Sequence, residues 1–274
     1  MDPGAELGRR NLIAFHRALT RWGSVGALEE DADVVMCAGG TWIPVVANVA
    51  FRTGVHVDPA ALLTRADSFF SRLGRGFTVK VRDDGADEDL RAACTAAGLE
   101  PFGGTAPEMI LRRPVPKTPT IEGVILRVVD DVDGLRAFQE VNAAAYATYG
   151  MPAEVLSELF DRSDAVLGDG GAHVVLARRG DEPVATAMAY ESDGVASLQW
   201  VGTVPAARGI GLGAQVTAAA TNLVFARGAS SCTLQASAMG EPVYRRLGYE
   251  ALYGWAEYVR WPRPPKSPGR GAAR

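Results

Sequence analysis

Between residues 124 and 261 the chain alternates apolar and polar positions in short runs, broken by one long helical period. Val124–Val129, His173–Arg179, Val184–Tyr190, Val195–Val204 and Cys232–Ala236 read as strands, with hairpin signals at Gly180-Asp181 and Ser192-Asp193-Gly194. Helical spacing predicts Val132–Ala147, Ala153–Asp161 and Gln215–Arg227, the last through Val216, Ala219, Ala220, Leu223 and Val224. A short helix, Glu241–Leu247, and two closing strands ending near Trp261 complete this half. The first half carries a fainter series: strands at Val34–Ala38 and Pro44–Phe51, a helix capped by Asp58 and running to Leu73, and a strand at Phe77–Val81. A short helix around Leu90–Ala97 then ends at Gly98, before a strand at Met109–Arg112. The pattern predicts an α/β protein with a mixed sheet in each half.

The most specific signal is a glycine-rich turn between the strand ending near Val204 and the helix from Gln215. Gly209, Gly211 and Gly213 stand at alternate positions, with Arg208 before them. The first N–H groups of a helix lack intrahelical partners, and the helix dipole adds partial positive charge there. Glycines let the backbone approach a bulky anion, so the turn reads as a diphosphate cradle. A nucleotide P-loop is excluded, because Ala214-Gln215-Val216 follows where Gly-Lys-Ser/Thr is needed. Gly209, Gly211 and Ala214 also fit the dinucleotide fingerprint, but the next acidic residue is Glu241, beyond the following strand.

Arg208-x-x-Gly211-x-Gly213 resembles the (Arg/Gln)-x-x-Gly-x-(Gly/Ala) acyl-CoA signature of the GNAT-type N-acetyltransferases. Tyr244-Arg245-Arg246-Leu247-Gly248-Tyr249 is similar to that family's Tyr-x-x-x-Gly-(Phe/Tyr) motif, with Ser237 where many members carry Asn. The resemblance covers roughly residues 122–262 and implies acyl transfer from acyl-CoA, most readily acetyl-CoA, to an amine by direct attack. It implies cofactor contacts from Val201, Gly202, Thr203, Arg208, Gly209, Ile210, Gly211, Leu212, Gly213, Ala214 and Ser237. The family usually has an aliphatic residue where Thr203 stands. Tyr244 takes the place of the general acid that protonates the leaving thiolate, whose thiol has a pKa of about 8.5. Glu191, at a strand end, is the carboxylate candidate for the base, with a water chain as its competitor. Tyr146, Tyr149, Met151, Trp200 and Trp255 are candidate walls of the acceptor pocket.

The Pro-rich segment 114–121 divides the chain into residues 1–113 and 122–262, followed by a tail, 263–274, too rich in Pro, Gly and Arg to build a core. Helix, glycine and strand at 90–112 echo the order at 243–260, which suggests two tandem GNAT-like domains. The first is degenerate: Thr53-Gly54-Val55-His56-Val57-Asp58 has no glycine series and no Arg, and Asp58 would repel a diphosphate. That half is expected to buttress the second and to wall its cleft, and residues 120–262 alone are expected to keep the cradle while exposing an apolar face. Cys94 stands where Tyr244 does and is either a nucleophile or a packed thiol.

A net charge of −4 over 274 residues gives no basic footprint for nucleic acid. Cys37, Cys94 and Cys232 lie in apolar segments as expected of reduced thiols, and the three histidines are too scattered for a metal site. With no membrane-length apolar run and no secretion-type N-terminus, a cytoplasmic protein is expected, a monomer or homodimer needing no metal, nucleic acid or membrane. The alternative to an enzyme is a non-catalytic CoA-binding sensor or assembly module. A nucleotide-dependent oxidoreductase is a third reading.

Overall fold

The computed structural model describes residues 3–54, 56–117 and 120–262. Its first element is a helix the sequence reading did not anticipate, α1 (Pro3–Trp22), although its buried Leu12, Phe15, Leu19 and Trp22 recur every three or four residues. β1 (Ala27–Glu30), β2 (Val34–Ala38) and β3 (Asn48–Arg52) follow. The strand expected from Pro44 begins only at Asn48. Proline suits the first turn of a helix, and Pro44–Ala47 forms one, α2. α3 (Pro59–Arg72) starts at Asp58, whose carboxylate accepts the N–H groups of Ala60 and Ala61 at 3.3 Å each. β4 (Phe77–Arg82), α4 (Glu88–Ala96) and β5 (Glu100–Leu111) end this half.

The second half runs β6 (Val124–Val128), α5 (Val132–Tyr146), α6 (Glu154–Leu159), α7 (Ser163–Leu167), β7 (Ala172–Arg179), β8 (Glu182–Ser192) and β9 (Val195–Thr203). Then come α8 (Leu212–Ala226), β10 (Cys232–Gln235), α9 (Glu241–Leu247) and β11 (Glu250–Arg260). β11 is one long strand with two register shifts, where two closing strands were expected. Bulges bend the strand without ending it.

All strands join one mixed sheet in the order β1-β2-β3-β4-β11-β5-β10-β9-β8-β7-β6. The two halves repeat one plan, β2-β3-α3-β4-α4-β5 and β8-β9-α8-β10-α9-β11, and in each the strands before and after the long helix are parallel. Their last strands are exchanged. β5 pairs with β10 through Leu111↔Cys232 and Glu108↔Gln235, β11 pairs with β4 from Arg260↔Phe77 to Trp255↔Arg82, and β5 and β11 pair with each other. Residues 100–105 of β5 are exposed and only its end is buried, so the sequence pattern shows just the last few positions.

Packing also crosses between the halves. Phe15 and Trp22 of α1 set their rings edge-on to Tyr190 of β8 at 5.7 and 5.8 Å. Asn11 donates to the carbonyls of Tyr190 and Val195, both at 3.1 Å. Val115, in the proline-rich segment, is held by Asn222 of α8 through both its N–H (2.7 Å) and its carbonyl (2.9 Å). The expected disordered tail, residues 263–274, lies outside the described residues, as do Thr118 and Pro119 of the linker. Among the described residues no helix is long and apolar enough to cross a membrane. The three cysteines are free and buried, and burial pushes each thiol up to about 12. Nucleophilic sulfur is thiolate, so Cys94 is a packed thiol of α4.

Candidate active site

Pairing of β9 with β10 stops at Leu198↔Leu234, and the strands separate beyond it. On its other edge β9 carries a bulge. Gln199 faces Met188 and Gly202 faces Thr186, so Trp200 and Val201 together oppose one residue of β8. Trp200 takes a φ of +52°, a left-handed conformation uncommon for a side chain of its bulk. α5 presses on the strand there: a Cβ at Gly202 would stand 2.6 Å from Asn142 Oδ1. The strand separation opens a cavity of about 570 Å3.

At one end of this cavity lies the glycine turn. Gly209 and Gly211 have φ of +85° and +93°. A Cβ at Gly209 would meet nothing within 4 Å, and at Gly211 its nearest neighbour would be Ile121 Cδ1 at 3.9 Å. α8 makes its first bond from Gln215 N–H to Gly211 O (3.0 Å), and no side chain caps it. The amides of Leu212, Gly213 and Ala214 therefore have no intrahelical acceptor. Arg208 lines the cavity, but its guanidinium donates to Thr203 O (3.2 Å), Ala145 O (3.0 Å) and Thr148 Oγ1 (3.3 Å). It ties the end of β9 to α5, whereas the sequence reading gave it to the diphosphate. Ile210 is exposed on the turn and is not among the lining residues; Val201, Gly202, Thr203, Gly209, Gly211, Leu212, Gly213, Ala214 and Ser237 all are.

Tyr244 of α9 borders the same space. Burial pushes its phenol up to about 12, with Tyr149 adding to the effect, so it is protonated throughout the neutral range. Ser237 Oγ accepts the N–H of Gly240 at 3.1 Å and fixes the turn that starts α9. Tyr244 lies against Gly240, where a Cβ would come within 2.7 Å of the ring. Gly240→Ala is therefore expected to displace the phenol and, with Tyr244 in the general-acid role that the motif resemblance implies, to lower kcat about 10-fold or more with CoA affinity nearly unchanged. Steady-state kinetics beside calorimetric CoA titration measures both.

Of the expected acceptor walls, Tyr146, Tyr149, Met151 and Trp200 line the cavity, and the Tyr146 hydroxyl reaches Val201 O at 3.4 Å. Trp255 does not: it is buried beneath α1 with Tyr253, its indole N–H donating to Glu108 at 3.0 Å. Glu191 is also corrected. Register places it opposite Ala196, whereas Ala185 of the same strand faces Thr203, six residues or about 20 Å away along β8. There it neighbours His173 (3.7 Å) and Arg227 (3.5 Å), outside the cavity. The far end of the cavity is built by residues the sequence reading did not single out: Leu12, Phe15 and His16 of α1, Val45 and Val46 of α2, Lys80 of β4, Gln235 of β10 and Glu257 of β11. One signal was present: Lys80 sits mid-strand among wholly buried positions.

A separated parallel strand pair leading into an uncapped helix N-terminus, with a buried tyrosine beside it, is the site architecture that the acyl-CoA motifs imply. The family model of the acetyltransferase (GNAT) domain matches residues 110–244, so this stretch of the chain is a GNAT acetyltransferase domain. A GCN5-related N-acetyltransferase from Kribbella flavida shares the fold at 23% identity, with 94% of this chain and 96% of that one covered and a TM-score of 0.68. One from Sphaerobacter thermophilus is 15% identical over 87% and 83% of the two chains, with a TM-score of 0.62. A tandem GNAT protein from the clavulanic acid biosynthesis pathway is 16% identical over 87% and 79%, with a TM-score of 0.59. No curated protein matches the chain. Among the described residues no group of three or more His, Cys, Asp or Glu side chains is placed to hold a metal ion.

Proposed function

We propose that this protein is an acyl-CoA-dependent N-acyltransferase with one donor site per chain, acetyl-CoA being the donor and an amine the acceptor. The observation that carries the reading is the convergence, on one cavity, of the uncapped α8 N-terminus, the unpaired edge of β9 and protonated Tyr244. The turn fits a diphosphate because its space is open above Gly209 and Gly211 and its amides lack acceptors. When bound, the donor supplies an activated acyl thioester.

The amides of Leu212, Gly213 and Ala214 hold the diphosphate, favoured by the helix dipole. Backbone groups of Val201, Gly202 and Thr203, freed from β10, orient the pantetheine arm and polarise the acyl carbonyl. Tyr244 gives its proton to the departing thiolate sulfur, the attacking amine loses its own proton to water, and the phenolate is reprotonated from solvent. Its phenol remains protonated well above neutral pH, so it is in the donating form whenever the acceptor amine is free to attack.

Tyr244→Phe keeps the ring and removes only the proton. Turnover is expected to fall about 10²-fold while CoA affinity stays the same. Equal turnover by the two proteins from pH 6 to 9, with chemistry rate-limiting, would remove Tyr244 from the mechanism. A sensor or assembly module would bind CoA yet release no thiol with any amine, which amine-dependent thiol release distinguishes directly.

A further inference from the structure

The far end of the cavity contains a charged group assembled across the exchanged strands. Lys80 of β4 donates to the carboxylate of Glu257 on β11 and, at 2.9 Å, to Gln235 Oε1 on β10. Lys80 is 7% exposed, and the Glu257 side chain, at 20%, keeps part of its surface open to the cavity it lines. A second carboxylate, Glu108, lies beside Gln235 in the register of β5 and β10, held by Trp255. Burial pushes the Glu108 carboxyl up to about 7, so near neutral pH it adds only part of a negative charge to the Lys80–Glu257 pair. His16 lines the same space and is 5% exposed, and burial with Lys80 nearby pushes its imidazole down to about 3, so it adds no positive charge. The other lining cations, Arg208 and Arg246, belong to the cradle turn and to α9.

This arrangement discriminates by charge. An anion drawn to Lys80 would sit against the Glu257 carboxylate that already neutralises it, and the ion pair offers no net positive charge to compensate a second anion in a buried site. A cation meets the remaining lone pairs of Glu257, in a cavity that Phe15 and Trp200 also line.

We propose that Glu257 is the residue that binds and selects the acceptor, and that the acceptor is a small cationic amine with an apolar body and no acidic group. The inference rests on reading this cavity as the acyl-transfer site. It gives the first half a definite task, because Lys80, His16 and the α2 valines build the selecting end.

The test is calorimetric titration of the full-length protein with benzylamine and with benzoate, which share a body and differ in charge, with and without saturating CoA. Benzylamine is expected to bind at least about 10-fold more tightly than benzoate. Glu257→Gln is expected to weaken benzylamine about 10-fold, as loss of a charge-assisted contact does, and to leave CoA affinity unchanged. Tighter binding of benzoate, no binding of benzylamine, or equal benzylamine affinity in a folded Glu257→Gln protein would overturn the proposal. The wild-type comparison stands whether or not the variant folds. Failure to bind CoA would instead count against the acyl-CoA reading, and the titrations without CoA would still decide the charge preference.

Discussion

Gly211→Asp is expected to lower acyl-CoA affinity about 10²-fold or more, the equivalent of losing two charge-assisted hydrogen bonds, in a chain that remains folded. Gly211 is the N-cap of α8 with φ +93°, and a side chain there enters open space at the helix end. Aspartate is among the non-glycine residues that visit this conformation, at a strain of about 1–3 kcal/mol. Its carboxylate would occupy the position the diphosphate needs and repel it. The first half already contains this arrangement, for Asp58 caps α3 and Pro59 removes one of the N–H groups. Gly211→Asn separates the two causes, since it adds similar bulk without charge and should retain more affinity. Unaltered CoA binding by a folded Gly211→Asp protein would place the donor elsewhere.

Residues 120–262 alone are expected not to fold into a CoA-binding unit, contrary to what the sequence pattern suggests. Removing the first half takes β5 from β10 and both neighbours from β11, leaving two long strand edges unpaired. It also takes α1 off the core that contains Phe138, Phe160 and Tyr190. The fragment should aggregate or show no cooperative melting transition, and supplying residues 1–117 in trans should restore both solubility and CoA binding. Calorimetric melting of the fragment measures this. A cooperative transition raised by CoA in the fragment alone would show that the exchanged strands are dispensable.

The glycine-turn end of the cavity was legible because it is local. A strand, alternate glycines and a helix within about twenty residues force a turn whose amides face outward, and Tyr244 follows on the next helix. The far end of the cavity was not legible because it is assembled by register. Glu191 stood at a strand end beside a hairpin, and only the pairing of β8 with β9 shows which end faces the cavity. Trp255 looked like a wall, yet strand exchange buries it between Arg82 and Ala106 as register partners and brings its strand neighbour Glu257 to Lys80 instead. That exchange leaves no mark in sequence, since residues 100–105 of β5 are exposed and carry no apolar alternation. α1 did have a readable period.

One acyl-CoA site, at the N-terminus of α8, is proposed to serve the whole chain. Calorimetric titration of the intact protein with acetyl-CoA tests it most directly. One saturable site per polypeptide is the expected result, while two sites, or none, would contradict it.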